Sequence, residues 1–191
     1  MDAIVALHQR VSQSRLTAPA PDSIQLDLLM RSAARAADHG NLQPWRFLII
    51  EGEGLIRLGQ LFARVAAAKK PDITQAELDR FTAMPLRAPM IIVAIAKCQP
   101  HPKVPEIEQV IAAGAATQNI LTASFALGLG AIWRSGEMAY DDTVRQAMGL
   151  SNNESLKEQI LGFIYIGTPD ADARPARQIN PKDFFSTWTG E

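Results

Sequence analysis

Arg35-Ala36-Ala37-Asp38-His39-Gly40-Asn41-Leu42-Gln43-Pro44-Trp45-Arg46-Phe47-Leu48-Ile49-Ile50 is the stretch on which the fold turns. It leaves a helix that carries Arg31 and Arg35 one turn apart, then crosses the polar loop Asp38-His39-Gly40-Asn41. After Gln43-Pro44-Trp45-Arg46 it enters Phe47-Leu48-Ile49-Ile50, an apolar run that reads as a strand. The loop is therefore held between a helix end and a sheet.

Upstream, Ser23 offers a cap for that helix, whose Leu26, Leu29, Met30 and Ala33 are spaced 0, 3, 4, 7. Pro19 and Pro21 forbid its extension backward through residues 14–22. Asp2 caps a first helix with Ile4, Leu7 and Val11 on one face, running to about Val11. Downstream, Gly52 and Gly54 precede a helix with Leu55, Leu58, Phe62 and Val65 on one face, ended by Lys69-Lys70-Pro71. Thr74 and Glu77 have the spacing of a capping box, which places a short helix over Thr74 to about Met84. Ala88-Pro89 forces extended geometry ahead of a buried strand, Met90 to Ala96.

The longest helical stretch runs from Glu106 to about Leu127 and closes at Gly128. Its middle, Ala112-Ala113-Gly114-Ala115-Ala116, admits close approach by another backbone, which places it at the centre of the protein or at a subunit interface. Gly114 costs about 1 kcal/mol there relative to Ala and needs a packing reason. Gly130 to Trp133 reads as a third strand, Asp141 or Asp142 to Met148 as a helix, and Ile160 to Ile166 as a fourth strand. The polar tail from Asp170 ends in Phe184, Phe185 and Trp188, aromatics that dock either on the chain's own body or on a partner. Interleaved strands and helices around one sheet give an α/β or α+β class.

Composition sets the bounds. The chain has 191 residues, 47% hydrophobic, with 19 basic against 20 acidic side chains, and reads as one domain spanning residues 1–191. That balance excludes a disordered chain and a nucleic-acid binder that relies on phosphate contacts. Cys98 has no partner for a disulfide, and with three scattered histidines it makes no metal cluster. Residues 1–15, with an acid at position 2 and no long apolar stretch, do not read as a signal peptide, and the longest apolar run, 90–96, is far below the roughly 18 residues needed to cross a bilayer. The expected location is the cytoplasm, away from membranes. The basic residues divide into 13 Arg and 6 Lys, and arginine's planar fork suits an anionic cofactor.

Common signatures are absent. Gly52-x-Gly54 lies between a strand and a helix, but Arg57 stands where a dinucleotide fingerprint needs its third Gly. There is no phosphate-binding loop, nucleophile elbow or zinc-protease motif. Cys98 with His101 nearby allows a thiol enzyme, although a lone Cys at a strand end is more often core. Three other segments stand out: Arg10-Val11-Ser12-Gln13-Ser14-Arg15, the loop 35–47, and Gly128-Leu129-Gly130-Ala131-Ile132-Trp133-Arg134-Ser135-Gly136.

Together, in this order and spacing, these segments resemble the nitroreductase family of flavin enzymes, closest to its compact bacterial NAD(P)H nitroreductase branch. Leu86-Arg87-Ala88-Pro89, Ala96-Lys97-Cys98, Ala113-Gly114 and the segment 162–169 extend the resemblance over essentially the whole chain. It implies a homodimeric α+β fold, a central mixed sheet flanked by helices, with FMN at each subunit interface. Carried over by motif, Arg10, Val11 and Ser12 of one subunit hold the phosphate and ribityl end, with Arg134 as a second guanidinium and Trp133 and Ser135 beside it. Arg35 and His39 reach the same flavin from the other subunit, and Asn41 and Gln43 lie near the pyrimidine edge of the ring. The helix Glu106 to Leu127 becomes the dimer core. The family's first segment usually reads Arg-Arg-Ser, so Val11 removes one guanidinium and lowers the expected FMN affinity.

No side chain is identified as catalytic, since the flavin carries the hydride chemistry. The expected activity is ping-pong reduction of nitroaromatics, quinones or related small acceptors by NAD(P)H through flavin N5. Two alternatives stand beside it: a flavin store or redox sensor without turnover, and a cofactor-free thiol enzyme using Cys98.

Overall fold

The computed structural model describes residues 1–190. The elements are α1 (Ala3–Gln9), β1 (Leu16–Thr17), α2 (Ser23–Ala33), β2 (Trp45–Glu51), α3 (Glu53–Lys69), α4 (Gln75–Ala83), β3 (Met90–Cys98), α5 (Glu106–Ala126), β4 (Gly130–Arg134), α6 (Glu137–Tyr140), α7 (Asp142–Ala147), β5 (Asn152–Asn153) and β6 (Leu156–Pro169). Side chains fix most starts. Asp2 accepts from the Ile4 and Val5 N–H groups, and Thr74 and Glu77 form the capping box that opens α4. The cap of α2 is Asp22 rather than Ser23, because Asp22 and Gln25 make a reciprocal capping box one residue earlier. Helix α1 stops at Gln9, short of Val11, and frees residues 10–12 from helical geometry.

Strand β6 is the hub of the sheet. One edge pairs with β3 from Met90↔Ile166 to Cys98↔Lys157, and β2 lies outside β3. The other edge takes β4, from Gly130↔Gly167 to Arg134↔Phe163, together with the short β1 and β5. Every pairing is antiparallel, which corrects the expectation of a mixed sheet. The reason lies in the connections: two helices between β2 and β3 reverse the chain. The single-helix crossover by α5 does give β3 and β4 the same direction, but β6 lies between them and runs the other way.

Both faces of the sheet are covered, so β3 is buried along nearly its whole length instead of alternating. Ile91, Val93 and Ile95 of β3, with Phe163 and Tyr165 of β6, pack against Leu58, Phe62 and Val65 of α3 and Phe81 of α4. Met90, Ile92, Ala94, Ile164 and Ile166 point the other way, onto Leu29 and Ala33 of α2 and Ala116 and Ile120 of α5. A bulge opposite Ala94/Ile95 leaves Leu161 outside the ladder. Among the described residues, no helix is long and apolar enough to cross a membrane.

Candidate functional site

The loop between α2 and β2 is held in a costly conformation. Gly40, Asn41 and Gln43 have φ of 76°, 54° and 48°. Left-handed geometry at two non-glycine residues costs about 1–2 kcal/mol each, and Gln is a poor choice for it. Side-chain and backbone bonds impose it: the Asp38 carboxylate accepts the Gln43 N–H, and Lys97 of β3 donates its N–H to the Pro44 carbonyl at 2.9 Å. The second carboxylate oxygen of Asp38 is buried without a hydrogen-bond partner. What this loop presents outward is polar: His39, Asn41 and Gln43 are all exposed. The His39 Nδ1 lies 2.6 Å from Glu108 Oε2 in the first turn of α5. Arg35, just beyond the α2 terminus, is also exposed.

Residues 10–15 leave α1 in extended form. Gln13 donates its N–H to the Ala131 carbonyl at 3.0 Å, which ties this segment to the start of β4. Arg10 and Val11 are half-buried and Ser12 is exposed. Ser12, Gln13, Ser14 and Arg15 line a cavity of about 290 Å³ together with Ala171, Asp172 and Arg174. Arg174 lines this cavity although sequence reasoning passed over it, since only the folded chain brings it to Ser12. None of Arg10, Arg15, Arg134 or Arg174 enters an ion pair among the described residues. In the cavity itself, two hydroxyls and the Arg15 and Arg174 guanidinium groups make a donor set that suits a phosphate, with the Asp172 carboxylate beside them.

Trp133 and Arg134 do not lie side by side. Strand alternation sends Trp133 toward the α2/α5 face, where its Nε1–H donates to the Leu161 carbonyl freed by the bulge, at 3.1 Å. Gly162 makes room for it, because a Cβ there would overlap the indole. The N–H of Trp133 is thus committed to the fold, and the ring face and backbone remain for a ligand. Arg134 points to the opposite face, its guanidinium 6.0 Å from the Tyr165 ring centroid. Burial pushes the Tyr165 hydroxyl above its ordinary pKa, and Arg87 and Arg134 draw it partly back. Ser135 is exposed just after β4.

The predicted residues fall into two groups. Arg10, Val11 and Ser12 precede Gln13, which is tied to the start of β4 beyond the C-terminal end of α5, and Trp133, Arg134 and Ser135 close that strand; His39, Asn41 and Gln43 lie on the loop that meets the first turn of α5, and Arg35 follows Ser32, whose carbonyl accepts from Asn119 nearer the middle of that helix. Helix α5 has 21 residues, about 30 Å at 1.5 Å per residue, far longer than an extended mononucleotide. Glu108 marks one end of that span and the Gln13–Ala131 bond the other.

The Cys98 thiol is buried, and burial followed by the nearby Glu106 carboxylate raises its pKa, the reverse of an activated nucleophile. His101 Nδ1 is occupied as an acceptor for the Lys103 and Val104 N–H groups. Arg46, although it lies in the loop motif, makes a bidentate pair with the buried Glu158 at 2.6 and 3.1 Å and serves the fold.

Fold and site define an α+β protein whose antiparallel sheet supports a strained polar loop and a separate cavity lined by Arg15 and Arg174. The chain belongs to the nitroreductase family: residues 7–168 match the model described as "Nitroreductase family", a family of oxidoreductases. It is 39% identical over 188 residues, 98% of this chain and 100% of the relative, to "Putative NAD(P)H nitroreductase YdjA" of Escherichia coli (strain K12). Among solved structures, the nitroreductase-like family protein from Bacillus cereus shares the fold with a TM-score of 0.78 at 23% identity, covering 100% of this chain and 97% of that one. A nitroreductase from Desulfovibrio desulfuricans solved in complex with FMN gives 0.70 at 24% identity, covering 98% and 97%.

Proposed function

We propose that this chain is a single-domain, FMN-dependent NAD(P)H oxidoreductase that works as a homodimer, each site drawing on both subunits. The observation that carries the reading is the separation of the two residue groups along α5. One chain cannot close both on one cofactor, whereas two copies packed antiparallel through α5 bring the N-terminal end of one helix to the C-terminal end of the other. Gly114 supports this pairing, since no described residue outside its own helix turn lies within 4 Å of where its Cβ would be. Exposed Ile107 and Ile111 on α5, Ile4 and Leu7 on α1, and Ile24 and Leu28 on α2 give the same layer an uncovered apolar character. Phe184, Phe185 and Trp188 are 74%, 80% and 85% exposed, so these three aromatics are uncovered by the chain's own body and offer a surface to a second copy.

In the dimer, Arg10, Ser12 and Arg134, with Arg15 and Arg174, hold the phosphate and ribityl end. Val11 contributes its backbone N–H in place of a second guanidinium. Arg35, His39, Asn41 and Gln43 of the partner loop orient the ring, and the donors of Arg35, Asn41 and Gln43 stabilise negative charge along its pyrimidine edge. Trp133 packs beside the site and excludes water. FMN held there would supply the hydride chemistry between NAD(P)H and a nitroaromatic, quinone or similar small acceptor, in a ping-pong cycle. The relative's name and the FMN-bound neighbour support this assignment.

Purified protein should be yellow, and anaerobic NADH or NADPH should bleach it rapidly; binding without bleaching identifies a flavin store instead. Arg134→Ala should retain little flavin after gel filtration. Colourless protein that gains no flavin spectrum with added FMN contradicts the proposal.

A further inference from the structure

We propose that Glu108 is a positioning residue for this site: it holds the His39 imidazole in the Nδ1–H form and leaves Nε2 as an acceptor for a hydrogen-bond donor of the cofactor. The inference rests on the FMN reading above. Glu108 stands at the third position of α5, where a glutamate ordinarily reaches back to the N-cap N–H. The N-cap here is Pro105, which has no N–H, and α5 has no side-chain cap. The carboxylate is therefore free to reach across to the loop, and it meets His39 Nδ1 at 2.6 Å.

The chemistry of the pair fixes the proton. A carboxylate only accepts, so the contact requires the hydrogen on Nδ1 and, in the neutral ring, leaves a lone pair on Nε2. No protein group among the described residues bonds His39 Nε2. Both partners stand on fixed backbone. The buried Gln109 side chain accepts the Gln99 N–H at 3.0 Å and donates to the Gln99 and Val104 carbonyls at 2.8 and 3.2 Å, which anchors the first turn of α5. Gly40 brings the loop against Val104: a Cβ there would lie 3.3 Å from the valine side chain. The groups in FMN that suit an acceptor are the ribityl hydroxyls and the ring N–H. A carboxylate that sets the tautomer of a ligating histidine is a recurrent device in metal sites, and here it would serve an organic cofactor.

The test separates Glu108 from the cofactor assignment. ¹⁵N NMR of the apo protein above the imidazole titration should show His39 as the Nδ1–H tautomer. Glu108→Ala should shift it to Nε2–H, and Glu108→Gln, whose amide oxygen still accepts, should keep it. Fluorescence titration with FMN should give a dissociation constant about tenfold weaker in Glu108→Ala. Glu108→Gln should stay near wild type, and Glu108→Ala should add nothing on top of His39→Ala. An Nε2–H tautomer in the wild type, or losses that simply add in the double variant, overturns the proposal. Wild-type protein that shows the expected tautomer yet binds no FMN overturns the cofactor reading instead.

Discussion

A buried carboxylate needs a cation beside it, and Glu158, 4% exposed, has Arg46 on both oxygens and the Ser151 N–H as well. Arg46→Met leaves that charge uncompensated and should cost about 3 kcal/mol in urea unfolding. The Arg46 hydrogen bond also holds the Glu158 carboxyl below its usual range, against the opposing effect of burial. Because the folded value is the lower one, the pair's stabilisation is complete above the unfolded value of about 4.3 and is lost as pH falls through the depressed folded value. The thermal midpoint should therefore drop on acidification below about pH 4, and Glu158→Gln should flatten that part of the profile; an unchanged slope in Glu158→Gln contradicts it. Nothing near Arg46 in the sequence announces this role, since its partner is 112 positions away. The neighbouring Asn41 and Gln43 enter as site candidates only through the family resemblance, and their left-handed φ values were not legible in the sequence. Arg174 was invisible for the same reason as the Glu158 pair, because only the folded chain brings it to Ser12.

Two glycines in helices show how far element-level reading reaches. Gly59 in α3 lies against α4 so closely that a Cβ would overlap the Thr82 carbonyl, a contact with backbone that cannot swing aside. Gly59→Ala should therefore destabilise the protein by about 2–3 kcal/mol in denaturant melts. Gly114→Ala meets no described residue outside its own helix turn and should raise helix stability by about 1 kcal/mol, while weakening self-association measured by sedimentation. Equal stability losses in the two variants contradict the assignment. Sequence reading singled out Gly114 and passed over Gly59, because the small-residue run around Gly114 is a local signal and the approach of α4 is not. The long periodic helices and the apolar run in β3 were legible for the same local reason. The two-residue strands β1 and β5 and the polar first half of β6 were not, since pairing alone defines them. The antiparallel sheet followed from which strand β6 slides between, a matter of topology that residue patterns do not encode.

At the scale of the whole molecule, the proposed reading divides the cofactor cradle between two subunits. One half sits by residues 10–15 and β4, the other on the loop by Glu108, and α5 spans the distance between them. The excess of arginine over lysine, a mere count in the composition, resolves into particular positions: Arg10, Arg134, Arg15 and Arg174 on one half, Arg35 on the other. A direct test of this division is subunit complementation. Arg10→Ala and Arg35→Ala each damage both sites of their own homodimer and should lose flavin on gel filtration. When the two variants are coexpressed with different affinity tags and the mixed dimer is isolated, both lesions fall in one site and the other is wild type throughout. The account predicts one tightly bound FMN per mixed dimer, bleached by NAD(P)H at the wild-type rate; a mixed dimer as empty of flavin as its parents would contradict it.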